Sequence, residues 1–223
     1  MIYFIPTPIW NLEDITLRSL NFFKELNIFF CEDTRTFKQL LSKYKINYEN
    51  KKFYSLNSYT NKQKIDFYTK LLKENDVWVV SEAWTPWLSD PWKEFIKIAW
   101  EENIPFDVLP WANALVPAVV SAFFDTSKFL YLWFLPKKKW KQTIMKKIVD
   151  SEYPVFIYES VHRVYKTLSQ LKELWFSWDV FIIREISKMY QQKYFDSIEN
   201  ILKKLENNEI KLKGEFVIWL NPK

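Results

Sequence analysis

Apolar residues occur in short runs that alternate with stretches of helical spacing. The run Ile2-Tyr3-Phe4-Ile5 opens a buried strand expected over 2–8. Residues 12–26 place Leu17, Leu20 and Phe23 on one helical stripe. Beyond them the pattern predicts a strand at 28–31, a helix at 36–44, a short strand around Phe53 and a helix at 62–73. A strand at 77–80, a helix at 91–102 and a strand at 106–109 follow. This βαβ rhythm belongs to a mostly parallel sheet with helices on both faces.

Past Trp111 the pattern changes. A helix is expected at 114–124, strands at 129–132 and 155–158, a helix at 161–174, a strand at 180–186 with a hairpin partner at 189–195, a helix at 198–205 and a strand at 215–220. The chain therefore reads as two α/β halves, 1–113 with a mostly parallel sheet and 114–223 with a mixed one. Neither a long linker nor a repeat separates them. Ligands in such folds lie where loops leave the carboxyl ends of strands. Trp10, Trp84 and Trp111 fall at such places.

Composition narrows the class. Hydrophobic content of 48% and charged content of 26% are those of an ordinary globule. The excess of 32 Lys+Arg over 27 Asp+Glu, a net charge of +5, fits a polyanionic partner without requiring one. With Cys31 the only cysteine and His162 the only histidine, an internal disulfide is excluded and a thiolate metal site is not expected. The amino terminus lacks the pattern of a signal peptide, and the longest nearly uncharged run, 111–124, is too short for a bilayer and contains Pro117. A cytoplasmic protein with no membrane partner is expected.

Two counts are anomalous: one glycine and twelve tryptophans. Average usage gives about 7% glycine, roughly 16 residues here. Trp84, Trp87 and Trp92 sit among Ser, Thr, Pro and Asp in 81–92, Trp111 follows Pro110, and Trp178 lies between Ser177 and Asp179. Such surroundings call for glycine's left-handed conformation or its close approach to a ligand, neither of which an indole supplies. The expectation is that UGA codons read as glycine in the source are rendered here as tryptophan.

Read with glycine at those points, motifs emerge in order. They are Thr7-Pro8-Ile9-Trp10-Asn11, Glu32-Asp33-Thr34-Arg35, the 81–92 loop, Pro110-Trp111, Leu135-Pro136-Lys137-Lys138-Lys139-Trp140, Tyr158-Glu159-Ser160-Val161-His162-Arg163, Arg184-Glu185-Ile186-Ser187-Lys188 and Gly214-Glu215-Phe216. Together they resemble the ribosomal RNA small subunit methyltransferase I family, of the class III, tetrapyrrole-methylase-like enzymes. Trp10, Trp84, Trp87, Trp92, Trp111, Trp133 and Trp140 fall where that pattern carries glycine; Trp78, Trp100, Trp175, Trp178 and Trp219 are less diagnostic. The sequence departs from the pattern at Glu82, where aspartate is usual, at Ala112-Asn113, where Pro-Ser is usual, and near Asn57 and Tyr59, where histidines are common.

The resemblance implies two α/β domains with an S-adenosyl-L-methionine cleft between them, and methyl transfer to the 2′-hydroxyl of a cytidine in small-subunit ribosomal RNA. The expected substrate is the 30S particle and the expected assembly a homodimer. The cofactor contacts it implies are Pro8, Trp10, Asn11, Ser81, Glu82, Trp84, Thr85, Ser89, Asp90 and Trp111. Candidates for proton removal or nucleophile positioning are Glu32, Asp33, Glu159 and His162, without a metal; candidates for RNA contact are Arg35, Lys137, Lys138, Lys139, Lys141, Arg163, Arg184 and Lys188. Other roles stay open. The 32–35 segment serves equally as a helix cap, Arg184 with Glu185 as a structural ion pair, and the lysine run as a solvated loop. Two other functions remain: a class III enzyme acting on a tetrapyrrole, and a non-catalytic RNA-binding relative if the indoles are genuine.

Overall fold

A computed structural model describes residues 1–56, 62–80, 93–110, 112–122, 125–137, 139–174 and 179–221. The chain divides into two compact units, Met1–Asn113 and Ala114–Lys223.

In the first unit, strands β1 (Ile2–Ile5), β2 (Ile28–Cys31), β3 (Lys52–Ser55), β4 (Val77–Val80) and β5 (Phe106–Val108) form a sheet of order β3-β2-β4-β1-β5. Every pairing is parallel. Helices α1 (Leu17–Glu25) and α2 (Thr34–Lys43) supply Phe23, Phe37 and Leu41 to one buried layer, with Ile5, Phe29 and Val80 of the sheet. Helices α3 (Lys62–Glu74) and α4 (Lys93–Glu101) supply Tyr68, Leu72, Phe95 and Ile98 to the other, against Ile2, Phe4 and Val79. Alternate strand residues feed opposite layers because the pleat alternates. The near-continuous apolar strands are those of a sheet covered on both faces.

The helix expected over 12–26 is shorter and broken. A 3-10 turn at Leu12–Asp14 precedes α1, and Thr16 starts the helix by accepting from the Ser19 N–H. A threonine hydroxyl there satisfies a donor that the helix leaves open, so the chain resets at 16 rather than running through.

The second unit carries α5 (Leu115–Ser121), β6 (Leu130–Phe134), α6 (Lys141–Val149), β7 (Val155–Ser160), α7 (Val164–Glu173), β8 (Asp179–Arg184), β9 (Gln192–Ser197), α8 (Ile198–Glu206) and β10 (Glu215–Asn221). Its sheet runs β6-β7-β10-β8-β9, with β6 parallel to β7 and the rest antiparallel. Helices α6, α7 and α8 bury Met145, Ile148, Leu168, Leu171, Ile201 and Leu205 against Ile157, Ile182 and Ile218 on one face. The other face is aromatic, with Tyr131, Phe156, Tyr158 and Trp219 in ring contact.

Two expectations change here. Helix α6 occupies a stretch for which no element was expected, because its lysines hide the spacing of Ile144, Met145 and Ile148. The hairpin partner begins at Gln192 rather than 189, since 185–191 form the turn itself.

Candidate functional site

In the first sheet β1 lies between β4 and β5, while the chain leaves β1 toward β2 and leaves β4 toward β5. The winding direction therefore reverses between β1 and β4, and the crevice beyond their carboxyl ends is the expected ligand position. Ile5 pairs with Val80 as the last register pair, so β1 and β4 end side by side. Thr7 and Pro8 are buried, Trp10 is 51% exposed, and the exposed Asn11 accepts from the Glu13 N–H at 3.1 Å. Ser81, Glu82, Trp84, Thr85, Ser89, Asp90 and Trp111, together with Trp87 and Trp92, lie outside the described residues.

At the end of β2, Glu32 is exposed and Asp33 caps α2. One Asp33 oxygen accepts from the Arg35 N–H at 2.7 Å and the Thr36 N–H at 3.4 Å. Its other oxygen meets the Arg35 guanidinium at 3.3 Å. The backbone N–H of Arg35, then its side chain, hold the Asp33 carboxyl below the usual carboxylate range. A carboxylate stabilised in this way is a weak proton acceptor. The Arg35 side chain is 88% exposed and available to an anion. Next to this turn a cavity of about 100 Å³ is lined by Thr7, Cys31, Asp33, Thr36, Phe37 and neighbouring residues of α2.

In the second unit Glu159 is turned inward, with 0% side-chain exposure. It accepts from the Ser160 N–H and the Thr167 hydroxyl at 2.8 Å each, and pairs with the Arg163 guanidinium at 2.6 Å. Arg163 also donates to the Leu135 carbonyl at 2.8 Å, tying β7's exit to the start of the lysine loop. Lys141 is buried nearby. Burial pushes its ammonium down, opposed by the charge of Glu159. Glu159, Arg163 and Lys141 thus act on one another, which suits them to shaping the 135–141 loop rather than to meeting substrate. Lys137, Lys139 and His162 are exposed; Lys138 lies outside the described residues. Thr167 was not anticipated, although it shares the buried stripe of Val164, Leu168 and Leu171.

Arg184 and Lys188 are likewise inward-facing, against the expectation that they contact phosphate. Arg184, only 6% exposed, donates from Nε to the Lys213 carbonyl at 2.7 Å and from one terminal nitrogen to the Tyr190 carbonyl at 3.3 Å and Gln192 Oε1 at 2.9 Å. Lys188 bridges Glu185 at 2.6 Å and Glu215 at 3.2 Å. Burial raises the Glu185 carboxyl, but hydrogen bonds from Lys188 and the Glu215 N–H outweigh this and leave it below the usual range.

The backbone sorts the tryptophans. Trp133 (φ 54) and Trp140 (φ 69) are left-handed. Trp133 lies where β6 shifts register against β7, and Trp140 stands at the start of α6 without a side-chain capping bond. A bulky residue is a genuine outlier there, whereas glycine is at ease. Both positions match glycine in the motif pattern. Trp78, Trp100 and Trp219, less diagnostic in that pattern, sit within β4, α4 and β10.

A doubly wound parallel sheet followed by a mixed sheet is the architecture of class III methyltransferases. The fold of diphthine synthase covers 99% of this chain and 89% of its own at a TM-score of 0.73 and 10% identity. Uroporphyrin III C-methyl transferase from Thermus thermophilus covers 98% and 96% at 0.60 and 12% identity. The family described as Tetrapyrrole (Corrin/Porphyrin) Methylases matches residues 1–202. The ribosomal RNA small subunit methyltransferase I of Campylobacter fetus subsp. fetus is 35% identical over 99% of this chain and 83% of its own length. That of Thermotoga maritima is 34% identical over 98% and 97%. The chain belongs to the ribosomal RNA small subunit methyltransferase I family, within the tetrapyrrole methylases.

Enzymes of this family use S-adenosylmethionine. The described residues fit that donor as a frame: two parallel strand ends at a switch point, with buried Thr7 and Pro8 fixing the loop that leaves β1. Among the described residues, Trp10 fits least well: it lies in the segment leaving β1, where a bare backbone would admit the ligand more closely than an indole.

Proposed function

We propose that this chain transfers a methyl group from S-adenosylmethionine to the ribose 2′-hydroxyl of a cytidine in small-subunit ribosomal RNA. The observation that carries this reading is the 35% identity, over 99% of the chain, to a relative named for that RNA. When bound, the donor supplies a methyl carbon activated by its sulfonium, so the protein has to align the hydroxyl and remove its proton. The segments after β1 and β4, with Pro8, Trp10, Asn11, Ser81, Glu82, Trp84, Thr85, Ser89 and Asp90, together with Trp111, would hold the donor. Arg35, Lys137 and Lys139 face phosphates. Of the four acid–base candidates, Asp33 caps a helix and Glu159 is enclosed. The proton therefore goes to exposed Glu32 or His162. The reading includes the 30S particle as substrate, a homodimer as the assembly and the cytoplasm as location. Among the described residues no helix is long and apolar enough to cross a membrane.

The test is methyl transfer from a labelled donor to 30S subunits, naked ribosomal RNA and a corrinoid precursor. It uses the chain as written and with Trp→Gly at 10, 84, 87, 92, 111, 133 and 140. Nuclease digestion and mass spectrometry should find the label in 2′-O-methylcytidine. Label on a base, or only on the corrinoid, overturns the reading. Glu32→Gln and His162→Asn, assayed separately, assign the base: one should lower kcat by a hundred-fold or more.

A further inference from the structure

The turn between β8 and β9 is held unusually firmly for a hairpin tip. Glu185 (φ 57) and Ser187 (φ 64) are both left-handed without being glycine. Such residues persist only where their surroundings over-determine them, and they gather at functional positions. Here the Ser187 N–H donates to the Gln191 side chain at 2.8 Å, and the Lys188 N–H to the Glu185 carbonyl at 3.0 Å. Arg184 and Lys188 brace the turn from beneath, as described. Arg184 grips the carbonyl of Tyr190 itself and also that of Lys213, joining the turn to the loop before β10. On this frame stand Met189, 88% exposed, and Tyr190, 71% exposed. Lys211 and Lys213 are exposed on the joined loop. The framing cations Arg184 and Lys188 offset the carboxylates Glu185 and Glu215, so the exposed charge that remains is that of Lys211 and Lys213.

An outward aromatic side chain on a braced backbone, with exposed lysines on the joined loop, has the chemistry of a platform for an unpaired nucleobase, with the lysines on flanking phosphates. We infer that Tyr190 stacks on an unpaired base of the ribosomal RNA substrate, and that Arg184-Glu185-Ile186-Ser187-Lys188 is the frame that presents it. Tyr190 is thus a binding and positioning residue for the methyl transfer proposed above, on which this inference rests.

The experiment measures 30S binding by the full chain and its variants over a salt series, together with methylation kinetics. Tyr190→Ala should weaken 30S binding and raise KM about ten-fold with kcat little changed, while leaving the unfolding midpoint and the salt slope intact. Tyr190→Phe should bind like the parent, because stacking does not use the hydroxyl. Lys213→Met should lower the log–log salt slope by about one. Parent-like binding by Tyr190→Ala, or an equal loss in Tyr190→Phe, overturns the inference while active parent enzyme leaves the methyltransferase reading standing. A change of oligomeric state in Tyr190→Ala, seen by light scattering, also overturns it by giving the tip to a second copy. Failure of the parent chain to bind 30S overturns both.

Discussion

Trp140→Gly should stabilise the protein, although it deletes the largest side chain. Trp140 is left-handed at φ 69 and 64% exposed, and it makes no capping bond to α6. The left-handed conformation costs an L-residue about 1–2 kcal/mol, most of which glycine relieves. Glycine's greater freedom in the unfolded chain returns about 0.5–1 kcal/mol. The contact of the Lys139 ammonium with the ring, 5.5 Å from its centroid, is solvent-exposed and contributes about 0.5 kcal/mol, the lower end for such pairs. The balance favours glycine by up to about 1 kcal/mol, or roughly 2–4 °C in Tm for a chain of this size. Two companions fix the scale. Trp100→Gly, exposed within α4, should lose about 1 kcal/mol, roughly half through helix propensity and half through its edge contact with Phe106. Trp219→Gly, fully buried in β10, should lose more than about 3 kcal/mol through the cavity and the weakened strand. Urea and thermal melts read all three. If Trp140→Gly falls as far as Trp100→Gly, backbone strain at 140 is refuted, and with it the physical ground for reading UGA there as glycine.

Glu159→Ala should cost about 3–5 kcal/mol, because it leaves the Arg163 guanidinium without its counter-charge beneath the lysine loop; denaturant titration measures this, and a loss below 1 kcal/mol denies Glu159 its positioning role. Gly214→Ala should destabilise by about 2 kcal/mol or more. Gly214 has φ 87, and an added Cβ meets the Glu185 carboxylate that holds Lys188 and the Glu215 N–H; an unchanged melt counts against the braced turn. Tyr44 donates to the Leu12 carbonyl at 2.6 Å, and burial, then the Asp14 charge, push its phenol up to about 12. The raised value favours the neutral folded form, so its stabilisation is intact below about pH 10 and is lost as pH rises from there through 12. Burial also raises the phenols of Tyr131 and Tyr158, so ultraviolet titration should show several late-ionising tyrosines and one fewer in Tyr44→Phe.

The elements legible in the sequence were those with a strong local signature. Val77–Val80 and Val155–Ser160 are apolar runs that only a buried strand accommodates. The break at Thr16 and the helix from Lys141 were not legible, because one hydroxyl and three apolar residues compete there with a smooth amphipathic run and a block of lysines. At the candidate site the motifs located residues but not their orientation. Arg163, Arg184, Lys141 and Lys188 were expected as phosphate ligands from their motifs and their charge. Distant acceptors help to orient two of them: the Leu135 carbonyl for Arg163, 28 residues away, and the Lys213 carbonyl for Arg184, 29 away. A cation drawn inward by such partners frames a loop, whereas one without them, such as Arg35 or Lys139, stays in water. The basic excess of the chain thus divides into framing and facing residues, and only the second kind can produce a salt-dependent affinity for RNA. The same separation of letter from role applies to the backbone. Gly214, Trp133 and Trp140 adopt one conformational class at φ 87, 54 and 69, although a single one of them is written as glycine. Lys45, Asn103, Glu185, Ser187 and Asn208 also take positive φ, but none carries a side chain as bulky as an indole, so the two tryptophans are the most strained members of the set and glycine is the residue that relieves them.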